Sequence, residues 1–380
     1  MTDTPAHQGT PREVFAAFLP LGFTAFGGPV AHLGFFRTAF VERRGWLSDA
    51  AYADLVALCQ FMPGPASSQV GMALGLRRAG LLGMVAAWTA FTLPSAIALA
   101  AFGLLLGVTG VEDGAGWLLG LKAAAVAVVA NALLGMAGQL AATRTLATIA
   151  AVAAIAILTT PEGYRALAQV GVIVAGGLAG LVLATADTPE RGEAAPATIP
   201  KGWAIACLAA FAILLVGLPL LAHLGAALDL LDRTYRAGAL VFGGGHVVLP
   251  LLQNEMAGLV DESTFLAGYG AAQAVPGPLF TFAAFLGSVA KPFGGAAGAV
   301  VALIGIFLPS VLLVLGILPF WEDLRRLPAL RKALAGVNAA VVGLLGAAFY
   351  DPVLVDGAPN GAAIALAIGA FILLRQWSVA

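Results

Sequence analysis

The stretch ERRGWLSDAAYADLVALCQFMPGP at residues 42–65 recurs without a gap as EMAGLVDESTFLAGYGAAQAVPGP at residues 255–278. Glu42 falls on Glu255, Gly45 on Gly258, Gln60 on Gln273, and the breaker triplet Pro63-Gly64-Pro65 on Pro276-Gly277-Pro278. Nearly the same displacement brings Phe26-Gly27-Gly28 onto Phe242-Gly243-Gly244, Leu93-Pro94-Ser95 onto Leu308-Pro309-Ser310, and Gly120 onto Gly336. Apolar sequence matches itself once by chance, but an ordered series that includes a Glu, a Gln and two identical breaker triplets marks a duplicated unit. The halves are expected over 1–186 and 203–380, joined by a linker rich in Pro and charge at 187–202.

The composition says where such a unit lives. Only 10% of the 380 residues are charged and 60% are hydrophobic, with 48 glycines besides, whereas a soluble domain carries about 25% charge. A water-facing surface cannot be built from this chain, so the class is an all-α polytopic membrane protein. A net charge of -1 without a long basic run disfavours nucleic-acid binding. Cys59 and Cys207 sit in apolar runs with no CxxC or metal-ligand spacing, so neither a metal nor a redox site is expected. Residues 1–12 are short and polar, without a cleavable leader pattern. Eight apolar stretches read as crossings, at about 80–107, 116–140, 145–160, 166–186, 203–222, 297–320, 333–350 and 361–375. Shorter segments, 13–26 with 30–41 and 50–62 with 66–79, flank Gly27-Gly28-Pro29 and Pro63-Gly64-Pro65, and each is half a membrane thick. The pattern returns around Gly243-Gly244-Gly245 and Pro276-Gly277-Pro278.

Charge predicts how the copies are oriented, because cytoplasmic loops hold the Lys and Arg excess. Arg43 and Arg44 align with Met256 and Ala257, which Asp261 and Glu262 follow. Conversely, 108–115 has acids and no base, while 321–332 holds Arg325, Arg326, Arg331 and Lys332. These swaps predict 43–48 and 322–332 inside, 108–115 and 257–262 outside, both termini cytoplasmic, and an inverted repeat with broken, re-entrant helices of the kind that secondary transporters use.

A GGP or PGP break at membrane depth must line a cavity or be buried in protein, since unpaired backbone cannot face lipid. The helix after it offers free N–H donors and a partial positive charge to an anion. The expected oxyanion site therefore draws on Gly27, Gly28, Gly64, Gly244, Gly245 and Gly277, with Ser67, Ser68 and Thr281 as hydroxyl donors and Gln60 and Gln273 before the turns. Pro29, Pro63, Pro65, Pro276 and Pro278 make the breaks; they would also serve if they merely kinked packed helices. Lys122, aligned with Asn338, supplies charge to an anion or snorkels to the interface. His32 and His246 carry a proton or are core histidines. Glu42 and Glu255 are coupling groups or interfacial partners of nearby arginines. No catalytic motif, Walker loop or dinucleotide fingerprint is present, so no catalytic residue and no cofactor is expected, and transport would draw on an ion gradient or the membrane potential.

FGGPVAHLGFFRTAFVERRGWL (26–47), QFMPGPASSQVG (60–71), FGGGHVVLPLL (242–252) and QAVPGP (273–278) resemble the signature segments of the chromate ion transporter family, over 12–165 and 229–380. The resemblance implies a long-chain member with both halves in one polypeptide, exporting chromate, a sulfate-like dianion, from the bacterial cytoplasm across the inner membrane by exchange with protons, and conferring chromate resistance. The first half reads GGPVAH where the second reads GGGH, which leaves open whether histidine takes part in both halves. A sulfate-type uptake carrier would use the same site with opposite flux, and an intramembrane enzyme would need a nucleophile–base pair or metal cluster. The oligomeric state, a homodimer among the options, is not readable from the residues.

Overall fold

The computed structural model describes residues 9–26, 28–109, 116–161, 164–185, 199–241, 248–324 and 327–377. Gly27, Gly244, Gly245, His246, most of the 108–115 loop, most of the linker, and Arg325 and Arg326 lie outside the described residues. Every element among the described residues is helical.

The first half runs through α1 (Pro11–Thr24), α2 (Gly28–Phe36) continued by a π-helical turn (Arg37–Glu42), α3 (Asp49–Phe61), α4 (Ala66–Thr109), α5 (Gly116–Leu140), α6 (Arg144–Thr159) and α7 (Arg165–Leu183). After α8 (Lys201–Leu221) come α9 (Ala226–Leu240), α10 (Val248–Met256), α11 (Glu262–Ala274), α12 (Phe282–Val289) and α13 (Gly295–Ile317). The chain ends with α14 (Trp321–Leu324), α15 (Pro328–Ala348), α16 (Val355–Gly357) and α17 (Gly361–Gln376). Side-chain caps start α1 at Thr10, α3 at Ser48, α6 at Thr143, α11 at Asp261 and α17 at Asn360.

Helix α4 is two helices. At Ala79 and Gly80 the backbone leaves the helical region, Gly80 taking φ 67 and ψ -160. A Cβ on Gly75 would then lie 2.3 Å from the Gly83 carbonyl, a contact possible only if 66–78 folds back against 81–109. The second half repeats the device, with Gly287 of α12 as close to the Gly298 carbonyl of α13 at 2.2 Å. Absent side chains let the backbones touch, the means by which helices pack in lipid. Other contacts recur at aligned positions: Gly22 of α1 rests on the Ala90 carbonyl and Gly238 of α9 on the Ile306 carbonyl.

Five stretches are long and apolar enough to cross a membrane: Ala66–Gly107, Leu119–Leu140, Lys201–Leu224, Gly295–Phe320 and Pro328–Gly357. Three of the eight expected crossings fall short of that length. Helices α6 and α17 have 16 residues and α7 has an apolar run of Ala168–Leu183, roughly 24 Å against a ~30 Å core. Their outer faces are apolar all the same, with Ile155, Leu178, Val182, Leu366 and Ile368 exposed. Helix α8 is the least enclosed, presenting Trp203, Ile213, Val216 and Leu220 outward. In a chain of this composition such faces belong to lipid. The protein is an all-α polytopic membrane protein, with its core on the broken segments: Phe18, Phe36, Phe40 and Phe91 in the first half, and Tyr269, Phe282, Phe285 and Phe307 in the second, are all but fully buried.

Candidate functional site

Each PGP turn is clamped by the other half. Gly64 N–H donates to the Val241 carbonyl at 2.7 Å, and Gly277 N–H donates to the Ala25 carbonyl at 2.9 Å. Ala25 and Val241 are the residues at which α1 and α9 end, just ahead of the aligned FGG segments. The same exchange holds for side chains. A Cβ on Gly64 would lie 2.4 Å from Ser310 Oγ, and one on Gly277 2.8 Å from Ser95 Oγ, the serines of the two aligned Leu-Pro-Ser segments. Contacts in which i touches j and j touches i are what a two-fold relation between the halves produces.

Around the first turn the polar groups are buried. Ser67, Ser68 and Gln69 open the helix after Pro65 and are 2%, 3% and 0% exposed. Gln69 Nε2 donates to the Pro63 carbonyl at 2.6 Å and to Ser310 Oγ at 3.2 Å. Ser68 Oγ and Gln69 Oε1 are buried without a hydrogen-bond partner, as is Thr92 Oγ1 farther along α4, beside the Phe91 and Ser95 that face the Gly277 turn. Because a sealed polar atom left unbonded costs about 1–3 kcal/mol, two in the first turn of one helix read as a place kept for a polar guest. Around the second turn Thr281 Oγ1 donates to the Pro278 carbonyl at 2.8 Å, so its proton is committed. Gln273 Nε2 is buried without a partner. Helix α2 brings His32 to the first turn: its Nδ1 lies 3.3 Å from Ser67 Oγ and its Nε2 3.1 Å from the Ala25 carbonyl. This is a hydroxyl–imidazole pair, but the imidazole is oriented by a backbone carbonyl where nucleophilic catalysis commonly uses a carboxylate.

Not every expected residue converges here. Gln60 is exposed on α3, and Asn338 is half-buried on α15. Lys122 Nζ donates to Ser263 Oγ at 2.8 Å. Ser263 stands in the first turn of α11, while the Gly277 turn follows its last, roughly 16 Å along a helix of that length. We therefore expect Lys122→Gln to leave oxyanion affinity within about 5-fold of wild type, since a charge ~16 Å from a dianion in a wet, polar setting is worth about 1 kcal/mol or less. Ser263→Ala should behave alike in the same equilibrium binding measurement. A 10-fold loss in the lysine variant would return Lys122 to the site.

The aligned glutamates have different surroundings. Glu42 is half-exposed and ion-paired with Arg37, which also holds Asp49 at 2.8 Å. Glu255, at the end of α10 and outside the spanning helices, is largely covered, its side chain 12% exposed, and pairs with α9. Arg236 Nη2 lies 2.8 Å from Glu255 Oε2 and 3.0 Å from Asp232 Oδ2, while Arg233 pairs with Asp229 at 2.9 Å and donates to the Glu255 carbonyl at 2.7 Å. Burial pushes the Glu255 carboxyl up to about 7 against the pull of Arg236, with Asp232 adding to the rise. Elsewhere, a cavity of about 380 Å³ lined by Gln169, Gln253, Asn254, Glu262 and Asp351 among apolar side chains opens between α6, α7, α10, α11 and α15. It lies apart from the turns.

Sequence reasoning passed over Gln69, Thr92, Ser95 and Ser310. The Leu-Pro-Ser segments were visible as repeat markers, and a serine kept at both copies was the signal for two of them.

The family model described as Chromate transporter matches residues 12–181 and 228–380. The chain belongs to that family. It is 32% identical over 346 residues to a chromate transport protein of Pseudomonas aeruginosa, covering 89% of this chain and 80% of the relative. A chromate transport protein of Cupriavidus metallidurans is 29% identical over 352 residues, covering 88% and 81%. An uncharacterized transporter of Methanocaldococcus jannaschii is 26% identical over 342 residues, covering 88% and 82%. No solved structure matches.

Proposed function

We propose that this chromate transporter family member is a secondary active carrier, not an enzyme, that exports chromate across the bacterial inner membrane, is coupled to protons and confers chromate resistance. The observation that carries the site is the exchange of PGP turns between halves, which sets a helix N-terminus with the unpartnered Ser68 Oγ and Gln69 Oε1 atoms beside the contact between the halves. Neutral N–H and O–H donors at a helix start bind a tetrahedral oxyanion without a fixed counter-charge, so the ion is held and can also leave. The same donors fit sulfate, and a sulfate uptake carrier is the second reading. Counterflow in proteoliposomes loaded with chromate or sulfate, with and without a pH gradient, decides between them. No exchange of either ion would sink both.

The reciprocal contacts also support the inverted repeat. A two-fold relation combined with the charge swap between aligned loops supports a topology with 43–48, 322–332 and both termini cytoplasmic and 108–115 and 257–262 outside. Single cysteines labelled from either face of oriented vesicles should divide along those lines. If 43–48 and 256–261 label from one side, the halves are parallel.

A further inference from the structure

We propose that His32 is a proton-linked positioning residue, which on protonation releases the Ser67 hydroxyl to the bound oxyanion. The inference rests on the oxyanion site described above and adds its regulation. A backbone carbonyl can only accept, so the 3.1 Å contact between His32 Nε2 and the Ala25 oxygen places a hydrogen on Nε2. In the neutral ring Nδ1 is then the bare nitrogen, and the 3.3 Å contact with Ser67 is a hydroxyl donating to it. Neutral His32 thus holds the one proton that Ser67 could offer to an anion. When Nδ1 is protonated, it must donate to Ser67 Oγ instead, and the hydroxyl hydrogen has to turn elsewhere. Beside it are the free N–H groups of the helix start and Ser68 with its unbonded Oγ.

The same step adds a full positive charge to a buried site. His32 is 1% exposed and meets Phe91 edge-on at 5.3 Å between ring centres. The Ala25 oxygen it touches also receives Gly277 N–H, so the imidazole sits at the joint between the halves. Among the described residues, the charges on the elements around it are engaged elsewhere or stand far along their helices. Helix α3 reaches α2 through Tyr52 Oη, which donates to the Leu33 carbonyl at 2.6 Å, and its charges are Asp49, held by Arg37, and Asp54, which accepts from Trp321 Nε1 at 3.1 Å. On α1 the charges are Arg12 and Glu13, and on α4 they are Arg77 and Arg78, with Glu13 and Arg78 paired at 2.8 Å, roughly 15 Å or more along their helices from Ala25 and Ser67. On the π-helical turn after α2, Arg37 is bound to Glu42 and Asp49. A proton on His32 therefore gains most when an anion is present, and by reciprocity the anion raises the imidazole's proton affinity. Proton and oxyanion bind together, the opposite linkage from the exchange that the family resemblance implies.

Sulfate is the probe, because it stays a dianion across the range in which imidazole titrates. With purified full-length protein in weak buffer, wild type should take up about half a proton per sulfate bound at a pH between the imidazole's sulfate-free and sulfate-bound midpoints, and His32→Gln should bind sulfate with no uptake. Ser67→Ala keeps the imidazole and removes the hydroxyl. It should bind roughly 10-fold more weakly than wild type at pH ~5.5 and equally at pH ~8, since the neutral ring already withholds that donor. A plain packing role would weaken binding alike at both ends. Wild-type binding without proton uptake, full uptake in His32→Gln, or equal loss in Ser67→Ala at both pH values overturns the switch and leaves the oxyanion site standing. The wild-type and Ser67→Ala arms decide the matter even if His32→Gln fails to fold. Folded wild type that binds neither sulfate nor, at the alkaline end, chromate removes the site and the switch together.

Discussion

Gly64→Leu and Gly277→Leu should each abolish chromate transport in vesicles while the protein still inserts. Both glycines have φ values closed to ordinary side chains, +116 and +98, which alone cost about 1–3 kcal/mol. The added carbons meet the other half as well, 2.4 Å to Ser310 Oγ at Gly64, and 2.8 Å to Ser95 Oγ and 3.2 Å to the Phe91 carbonyl at Gly277; at Gly64 the carbon also comes within 2.6 Å of Gln69 Nε2 of its own half. Relief would have to pull each turn off the N–H bond it makes across the halves. Gly45 and Gly258 supply the control, for they also have positive φ, +57 and +80, but nothing within 4 Å of a Cβ. Substituting them with Asn, which tolerates that region, should cost about 1 kcal/mol or less and leave transport near wild type. Immunoblots of membrane fractions beside each transport trace separate lost function from lost protein. Normal transport by both PGP variants would show that the turns are only kinks.

Arg236→Ala should destabilise the protein by about 1–3 kcal/mol, the cost of leaving largely buried carboxylates without the partly exposed guanidinium that compensates them. Here two carboxylates, Asp232 and Glu255, share that one guanidinium, and Asp232 Oδ1 is already buried without a partner. Arg236→Met combined with Asp232→Asn and Glu255→Gln should recover most of the loss by removing the stranded charges. The pH dependence has a definite sign. Glu255 has its folded pKa raised from 4.5 to about 7, so the folded protein holds the proton more tightly than the unfolded chain. Its contribution to stability is complete below the ordinary carboxyl value and is lost as pH rises through about 7. The loss amounts to roughly 3 kcal/mol across that window. Thermal unfolding in detergent should show this decline in wild type and a flatter profile in Glu255→Gln. An unchanged slope in that variant would mean that another group governs it.

The sequence by itself determined the class, the duplication and the positions of the breaks. Those rest on local and compositional physics: a chain 10% charged has no means of covering itself against water, and a Pro-Gly-Pro triplet ends a helix wherever it falls. The turns at Gly64 and Gly277 and the break at Gly80 lie where residue types alone put them. Only the tertiary structure decided what each break touches. Nothing local tells Gly64 that its N–H will meet Val241, or Gln69 that its amide will reach Ser310, because such partners come from far along the chain and are chosen by how the halves dock. For the same reason two aligned glutamates, equal in the sequence, separate into a half-exposed Glu42 and a largely covered Glu255. Lys122, which its charge left between an anion site and the membrane interface, donates to Ser263 on α11. Position along a helix follows from the residues beside it, whereas burial and partnership are set by the surface that packs against it.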